Sequence, residues 1–168
     1  MTPQALIACA FVISLCALSL IDLKTMRLPD YLTLPTILIC IIFNGVSSNH
    51  FISLNHSIAA SIIGFTLLWG INKIYFIFTH QHGVGMGDAK LLAAIGALLG
   101  IHAAFTALFL ASLMGLLGGL IWLKWHRLKL RQAFPFGPYL SVAGIFLVLN
   151  YFFNFQLVNT LPIFSYAK

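Results

Sequence analysis

Six apolar stretches alternate with short polar segments along the chain. They cover about residues 4–21, 32–46, 58–78, 89–101, 103–123 and 138–157. A helix needs roughly 20 apolar residues to cross the hydrocarbon of a bilayer. The second and fourth stretches are shorter than this, and each taken alone also fits a re-entrant segment. The whole pattern predicts an all-α, polytopic membrane bundle of about six transmembrane helices.

The composition supports a membrane protein. Of the 168 residues, 61% are apolar and 7% are charged, whereas soluble domains carry about 25% charged residues. Six spans use most of the chain, so we expect residues 1–168 to form a single integral-membrane domain in contact with lipid. The net charge of +6 does not indicate a nucleic-acid partner, because the basic residues are few and follow the loops.

The basic residues predict the orientation of the bundle. With six crossings, the first, third and fifth loops lie on one side and hold eight of the nine Lys and Arg residues. The second loop, residues 47–57, holds none. Basic loops face the cytoplasm. This pattern therefore favours six crossings, with both termini on the far side of the membrane.

Three aspartates, Asp22, Asp30 and Asp88, are the acidic residues of the chain, which has no glutamate. A carboxylate is costly near lipid, so each one needs a reason. The predicted topology places all three at the cytoplasmic edge. Asp88 closes a glycine-spaced string that begins at Gly83, and such glycines allow unusual backbone angles and the close approach of a second chain.

Two carboxyl groups at one membrane edge fit acid–base chemistry on a water molecule. When the two lie close together, double ionisation is unfavourable, so one stays protonated and the other serves as a base. Structural roles fit the same residues. Asp30 and Asp88 can cap helices, and Asp22 can pair with Lys24 or Arg27. The glycine string is neither a phosphate loop nor a dinucleotide fingerprint, because the residues and strands that those require are absent.

Three motifs occur in a recognisable order. Asp22 ends an apolar stretch and is followed by Leu28-Pro29-Asp30, then Gly85-Met86-Gly87-Asp88 precedes Lys90-Leu91-Leu92-Ala93, and Phe136-Gly137-Pro138-Tyr139-Leu140 opens the last apolar stretch. In these residues the chain resembles the type IV prepilin peptidases, membrane aspartic proteases of bacterial pilus and type II secretion systems. The resemblance covers almost the whole chain.

The resemblance implies an aspartic endopeptidase with Asp22 and Asp88 as its catalytic pair and no cofactor or metal. The residues it implies as a supporting loop are Gly85, Gly87, Asp30 and Lys90, with Asp30 assigned to capping and loop shape. It also implies a location in the bacterial inner membrane with the active site facing the cytoplasm. The implied substrates are prepilins or pseudopilins, from which the family removes a short basic leader.

Long members of that family carry an additional N-terminal region, often with two C-x-x-C pairs, that is linked to N-methylation. This chain begins almost directly at its first apolar stretch, so we do not expect methyltransferase activity. Cys9, Cys16 and Cys40 form no C-x-x-C pair and are expected at buried packing positions. Two other interpretations remain open. One is a different intramembrane protease with a Gly-x-Gly-Asp motif, and the other is a non-enzymatic transporter or scaffold.

Overall fold

The computed structural model describes residues 2–80, 85–125 and 135–153, and the side chains of all of these except 120–125 and 153. These ranges contain six helices and no strand, which confirms the predicted all-α bundle. The helices are α1 Pro3–Thr25, α2 Asp30–Val46, α3 Leu54–Thr79, α4 Met86–Leu99, α5 Ile101–Trp125 and α6 Gly137–Phe153. Gly83, the basic residues 127–131 and the end of the last apolar stretch lie outside the described residues.

Helix α4 forms the centre of the bundle. The other five helices make a closed ring in the order α1, α2, α3, α5, α6, and α4 packs against all of them except α1. Eleven of the fourteen residues of α4 are buried. A 14-residue helix is about 21 Å long, which is shorter than the roughly 30 Å of bilayer hydrocarbon. This length is tolerated because protein surrounds α4.

The helices alternate in direction along the chain. At one end, Asp22 near the end of α1 meets Gly137 at the start of α6, and Asp30 at the start of α2 meets Lys90 near the start of α4. We call this the acid end. At the opposite end, which we call the far end, Phe51 in the loop between α2 and α3 stacks against Tyr151 of α6, with ring centres 4.8 Å apart.

Three helices are long and apolar enough to cross a membrane by themselves. They are α1, α3 and the segment Ile101–Gly119 of α5. Helices α2 and α6 have 17 residues each and are also apolar. Together with the alternating directions, these lengths fit a multi-pass membrane bundle.

The turn between α4 and α5 consists of one residue, Gly100. Its backbone has a φ of 94°, where a side chain would be strained. The fourth and fifth apolar stretches, which are separated at His102, predicted a turn that includes this residue, and that was wrong. Helix α5 begins at Ile101, so His102 lies in its first turn.

Small residues allow the helices to approach closely. A methyl group on Gly64 of α3 would lie 3.2 Å from the carbonyl oxygen of Leu92, and one on Gly96 of α4 would lie 2.7 Å from that of Ala60. The stripe of small residues on α5 is buried as well: Ala107, Ala111, Gly115 and Gly119. The expectation for the cysteines was correct only for Cys40, since Cys9 and Cys16 are exposed on the outer surface.

Buried polar side chains form hydrogen bonds between helices at the far end. The side-chain amide of Asn44 in α2 donates to the carbonyl oxygens of Ala97 and Leu98, and its oxygen accepts from the backbone N–H of Phe51. The hydroxyl of Ser57 in α3 also donates to the Ala97 carbonyl. These bonds satisfy carbonyl groups in the last turn of α4, which the helix itself leaves without partners.

Replacing Gly96 by Ala should destabilise the bundle. The new methyl group would overlap the backbone of α3, and overpacking of this kind costs about 1–3 kcal/mol. Gly70→Ala in α3 is the matched control, because nothing lies within 4 Å of the position of its methyl group. Thermal unfolding of both variants in detergent should show a lower melting temperature for Gly96→Ala alone. Equal melting temperatures would contradict the close contact between α3 and α4.

Candidate active site

The three aspartates lie at the same end of the bundle. Asp22 is in the last turn of α1, Asp30 is the first residue of α2, and Asp88 is the third residue of α4. Their exposure differs greatly, because Asp22 and Asp88 are 5% and 8% exposed while the side chain of Asp30 is 63% exposed. Two carboxyl groups are therefore buried and one faces outward.

The carboxyl group of Asp22 is held by the start of α6. Its Oδ2 accepts a hydrogen bond of 3.0 Å from the backbone N–H of Gly137. A methyl group at Gly137 would lie 2.6 Å from the same oxygen, so this approach requires glycine. Helix α1 ends one turn later, where Met26 adopts a left-handed conformation and its N–H donates to the carbonyl of Asp22. The backbone of Asp22 is thus fixed by the helix end.

The carboxyl group of Asp88 is held by the start of its own helix. Gly85 is the residue that precedes α4, and its backbone amide hydrogen-bonds to the Asp88 carboxyl. In return, the N–H of Asp88 donates to the carbonyl of Gly85 over 3.1 Å. An acidic residue at this position of a helix often satisfies the amide of the capping residue. Asp88 therefore has the capping role considered above, although capping alone does not require its carboxyl group to be buried.

The two buried carboxyl groups are close enough to interact electrostatically. Burial disfavours a charge on either group, and the repulsion between two charges disfavours the doubly ionised state further. Two carboxyl groups that interact in this way titrate as a pair. The arrangement therefore suits acid–base chemistry, in which one carboxyl group is protonated and the other is ionised.

A common register relates α1, α4 and α6. Asp22 of α1 meets Gly137 of α6. Seven residues deeper into the bundle on each helix, Leu15 of α1 contacts Gly144 of α6. Ile95 contacts Gly144 as well, and it lies seven residues after Asp88 along α4. Helix α6 therefore packs against both helices that carry a buried acid, whereas α1 and α4 are not in backbone contact with each other.

The segment between α1 and α2 packs on the start of α4. Leu28 is buried there, and a methyl group on Gly87 would lie 2.5 Å from its Cβ. Beside this contact, the ammonium of Lys90 forms an ion pair with the carboxylate of Asp30. The supporting residues proposed from the sequence therefore surround the start of α4, where Asp88 lies.

Two of the structural interpretations are wrong. Asp22 is not a solvated partner of Lys24 or Arg27, because it is buried while both basic residues are exposed. Asp30 does not cap α2, because Pro29 precedes the helix and Asp30 is its first residue. In that position its charge still interacts favourably with the helix dipole, and its carboxylate binds Lys90.

The motif Phe136-Gly137-Pro138 was recognisable in the sequence, but its role was not. The structure shows that Gly137 supplies the amide for Asp22. Pro138 lies in the first turn of α6, as predicted. The proline beside the glycine indicated a helix start, and a helix start presents free amides. The sequence therefore indicated free amides at the start of α6, but it did not indicate which carboxyl group they bind.

The fold and the site define a multi-pass α-helical membrane protein with two buried carboxyl groups at one end. Comparison with known families identifies it further. The chain belongs to the type IV leader peptidase family, whose model matches residues 9–120. Both buried aspartates lie within this match, and Gly137 lies beyond it.

Curated relatives from several bacteria share one printed name, prepilin leader peptidase/N-methyltransferase. The chain is 39% identical over 135 residues to a prepilin leader peptidase/N-methyltransferase of Dickeya chrysanthemi. It is 42% identical over 132 residues to one of Aeromonas hydrophila, and 38% identical over 143 residues to one of Neisseria gonorrhoeae. These matches cover 77–85% of this chain and 44–47% of the relatives, so the chain spans about half of their length. No solved structure matches the chain.

The ion pair between Asp30 and Lys90 should contribute little to stability. Because the Asp30 side chain is 63% exposed, we expect a coupling free energy below about 1 kcal/mol. Unfolding of Asp30→Asn, Lys90→Gln and the double variant in detergent gives this value as a double-mutant cycle. The coupling should decrease as salt is added. A coupling that is larger and independent of salt would contradict an exposed pair.

Proposed function

We propose that this protein is an aspartic endopeptidase that removes the leader peptide from prepilins or pseudopilins. The observation that carries the proposal is the burial of Asp22 and Asp88 together at one end of the bundle. Membership of the leader peptidase family supports it, and so do the printed names of the relatives. Both acids lie in the part of the chain that matches the family.

The reaction needs one ionised and one protonated carboxyl group. The ionised carboxylate removes a proton from a water molecule, whose oxygen attacks the carbonyl carbon of the scissile peptide bond. The protonated carboxyl group donates its proton to the carbonyl oxygen, which gives a tetrahedral intermediate. Collapse of this intermediate breaks the C–N bond, and a proton passes to the leaving amine. The pair then returns to its starting state with one proton.

Backbone amides assist this chemistry by fixing the two acids. The N–H of Gly137 holds Asp22 and the N–H of Gly85 holds Asp88. A carboxyl group that is held in place before the reaction loses less freedom in the transition state. The glycines beside Asp88 leave space for an extended substrate segment next to the carboxyl group.

The position of the acids supports peptide cleavage over transport. Carboxyl groups of transporters lie near the midplane of the membrane on interrupted helices. Here the pair lies at helix ends, and α1 and α4 are each continuous. The leader of such a substrate ends where the hydrophobic helix enters the bilayer. Its last peptide bond would therefore lie at the same depth as the two acids.

We also propose that the acid end faces the cytoplasm of a bacterial inner membrane. Lys24, Arg27 and Lys90 lie at the acid end, whereas the far-end loop, residues 47–53, contains no Lys or Arg. Basic residues are retained on the cytoplasmic side. On that side, the acid end would reach a basic leader before the hydrophobic helix that follows the leader is exported.

Replacing either buried acid by asparagine should stop cleavage. Asp22→Asn and Asp88→Asn each keep the size of the side chain and remove its ionisation, so we expect leader removal to slow by roughly 10³-fold or more. The assay is co-expression with a candidate prepilin, followed by separation of the precursor from the mature form.

Asp30→Asn is the matched control for this experiment. It changes the same chemical group at an exposed position, so it should retain more activity than either buried variant. Full activity of Asp22→Asn or Asp88→Asn would overturn the proposal, and equal loss in all three would show that Asp30 has been assigned the wrong role. Sequencing of the product separates the related alternative, because a different intramembrane protease would cut inside the hydrophobic helix.

Single cysteines test the orientation independently of activity. In a variant without Cys9, Cys16 and Cys40, Thr25→Cys marks the acid end and Asn49→Cys marks the far end, and both positions are exposed. We expect a membrane-impermeant maleimide to label Asn49→Cys once the outer membrane is opened. Thr25→Cys should react only after the inner membrane is disrupted. The reverse pattern would place the acid end outside the cytoplasm.

A further inference from the structure

Ser141 of α6 is a buried polar residue that the chemistry above does not use. It is 0% exposed, and its hydroxyl makes no hydrogen bond to any residue that the structure describes. Buried polar side chains nearly always have a partner, so an exception needs an explanation.

Other helical hydroxyls in this protein behave differently. Serine and threonine in a helix commonly donate to a carbonyl of the preceding turn. This bond is formed in four of the six helices by Ser14, Thr36, Thr66, Thr106 and Ser112. The same option exists for Ser141 with the carbonyl of Gly137, but the bond is not formed. The hydroxyl of Ser141 is thus available to another group.

The register of α1 and α6 places Ser141 one turn from the buried acids. Gly137 contacts Asp22 and Gly144 contacts Leu15. Ser141 lies between these two contacts along α6. Residues four apart on a helix share a face. Ser141 therefore lies on the same face of α6 as Gly137, and at Gly137 this face contacts Asp22.

The directions of the two side chains bring them toward one another. Side chains of a helix lean toward its N-terminus. Helix α6 starts at the acid end, so Ser141 leans toward that end. Helix α1 finishes there, so Asp22 leans into the bundle. Asp22 is 5% exposed and Ser141 is 0% exposed, so both side chains lie inside the bundle.

We propose that the Ser141 hydroxyl is a positioning group for Asp22, to which it donates a hydrogen bond during cleavage, directly or through one water molecule. Together with the amide of Gly137, it fixes the orientation of the carboxyl group toward the attacking water. This inference rests on the proposed peptidase function.

Variants at position 141 test the role of the hydroxyl. Threonine and valine have nearly the same shape, and only threonine keeps the hydroxyl, so their comparison removes any effect of packing. We expect Ser141→Ala and Ser141→Val to lower kcat roughly tenfold, as the loss of one hydrogen bond to a charged group does. KM should stay unchanged, and Ser141→Thr should recover most of the rate.

Stability and a distant serine serve as controls. Ser141→Ala should not lower the melting temperature, because it removes a hydroxyl that makes no hydrogen bond within the described residues. Ser112→Ala, at an exposed position of α5, should leave both rate and stability unchanged. The assay uses the full chain in detergent with a purified prepilin and quantifies the released leader.

The outcomes separate this inference from the function itself. If the wild type does not cleave and Asp22→Asn makes no difference, the peptidase proposal fails. If the wild type cleaves and Ser141→Ala matches it, the role of Ser141 is wrong. A rate for Ser141→Val equal to that of Ser141→Thr would overturn it too, and so would a lower melting temperature of Ser141→Ala that accounts for the lost rate.

Discussion

A carboxyl group inside an apolar bundle can use only the hydrogen-bond donors that the protein supplies. The described structure meets this constraint with backbone amides at helix starts, Gly137 of α6 for Asp22 and Gly85 for Asp88. Helix starts are suitable because their amides have no partner within the helix, and they carry partial positive charge. Both amides belong to glycine, and the close approach at Gly137 leaves no space for a side chain. The position of Asp22 therefore depends on where a neighbouring helix begins, and the position of Asp88 depends on where its own helix begins.

The enclosure of α4 is the second condition for the site. The helix is too short to cross the hydrocarbon in contact with lipid, yet its neighbours surround it almost completely. Gly64 and Gly96 let α3 and α4 touch through their backbones, as small residues do in membrane helices. At the far end, Asn44 and Ser57 bind the last carbonyl groups of α4. Asp88 is therefore carried by the most restrained helix of the bundle.

Much of this arrangement followed from the sequence. Long apolar stretches separated by Pro, Gly and basic residues predicted six helices, and the charged loops predicted their alternation. These features are local or periodic, so a single sequence records them. The motifs around Asp22 and Asp88 also indicated which acids would lie at one end.

Contacts between distant parts of the chain were not predictable in the same way. Nothing near Asp22 indicates that Gly137 serves it, because 115 residues separate the two. Asp30 follows a proline at a helix start, so its local pattern suggested a cap, while its partner Lys90 lies 60 residues away. Ser141 has no unusual neighbours in sequence. Its interest comes only from the register of α1 against α6 and from a hydroxyl that has no hydrogen-bond partner in the described part of the chain.

The two acids are carried by helices whose backbones are not in contact, and this has a mechanical consequence. Helices α2 and α6 each pack against both α1 and α4, so the distance between the carboxyl groups depends on how these two helices are placed. A shift of either helix would change the separation of the acids without altering either one. The geometry of the pair is in this way a property of the whole bundle and not only of the two helices that carry it.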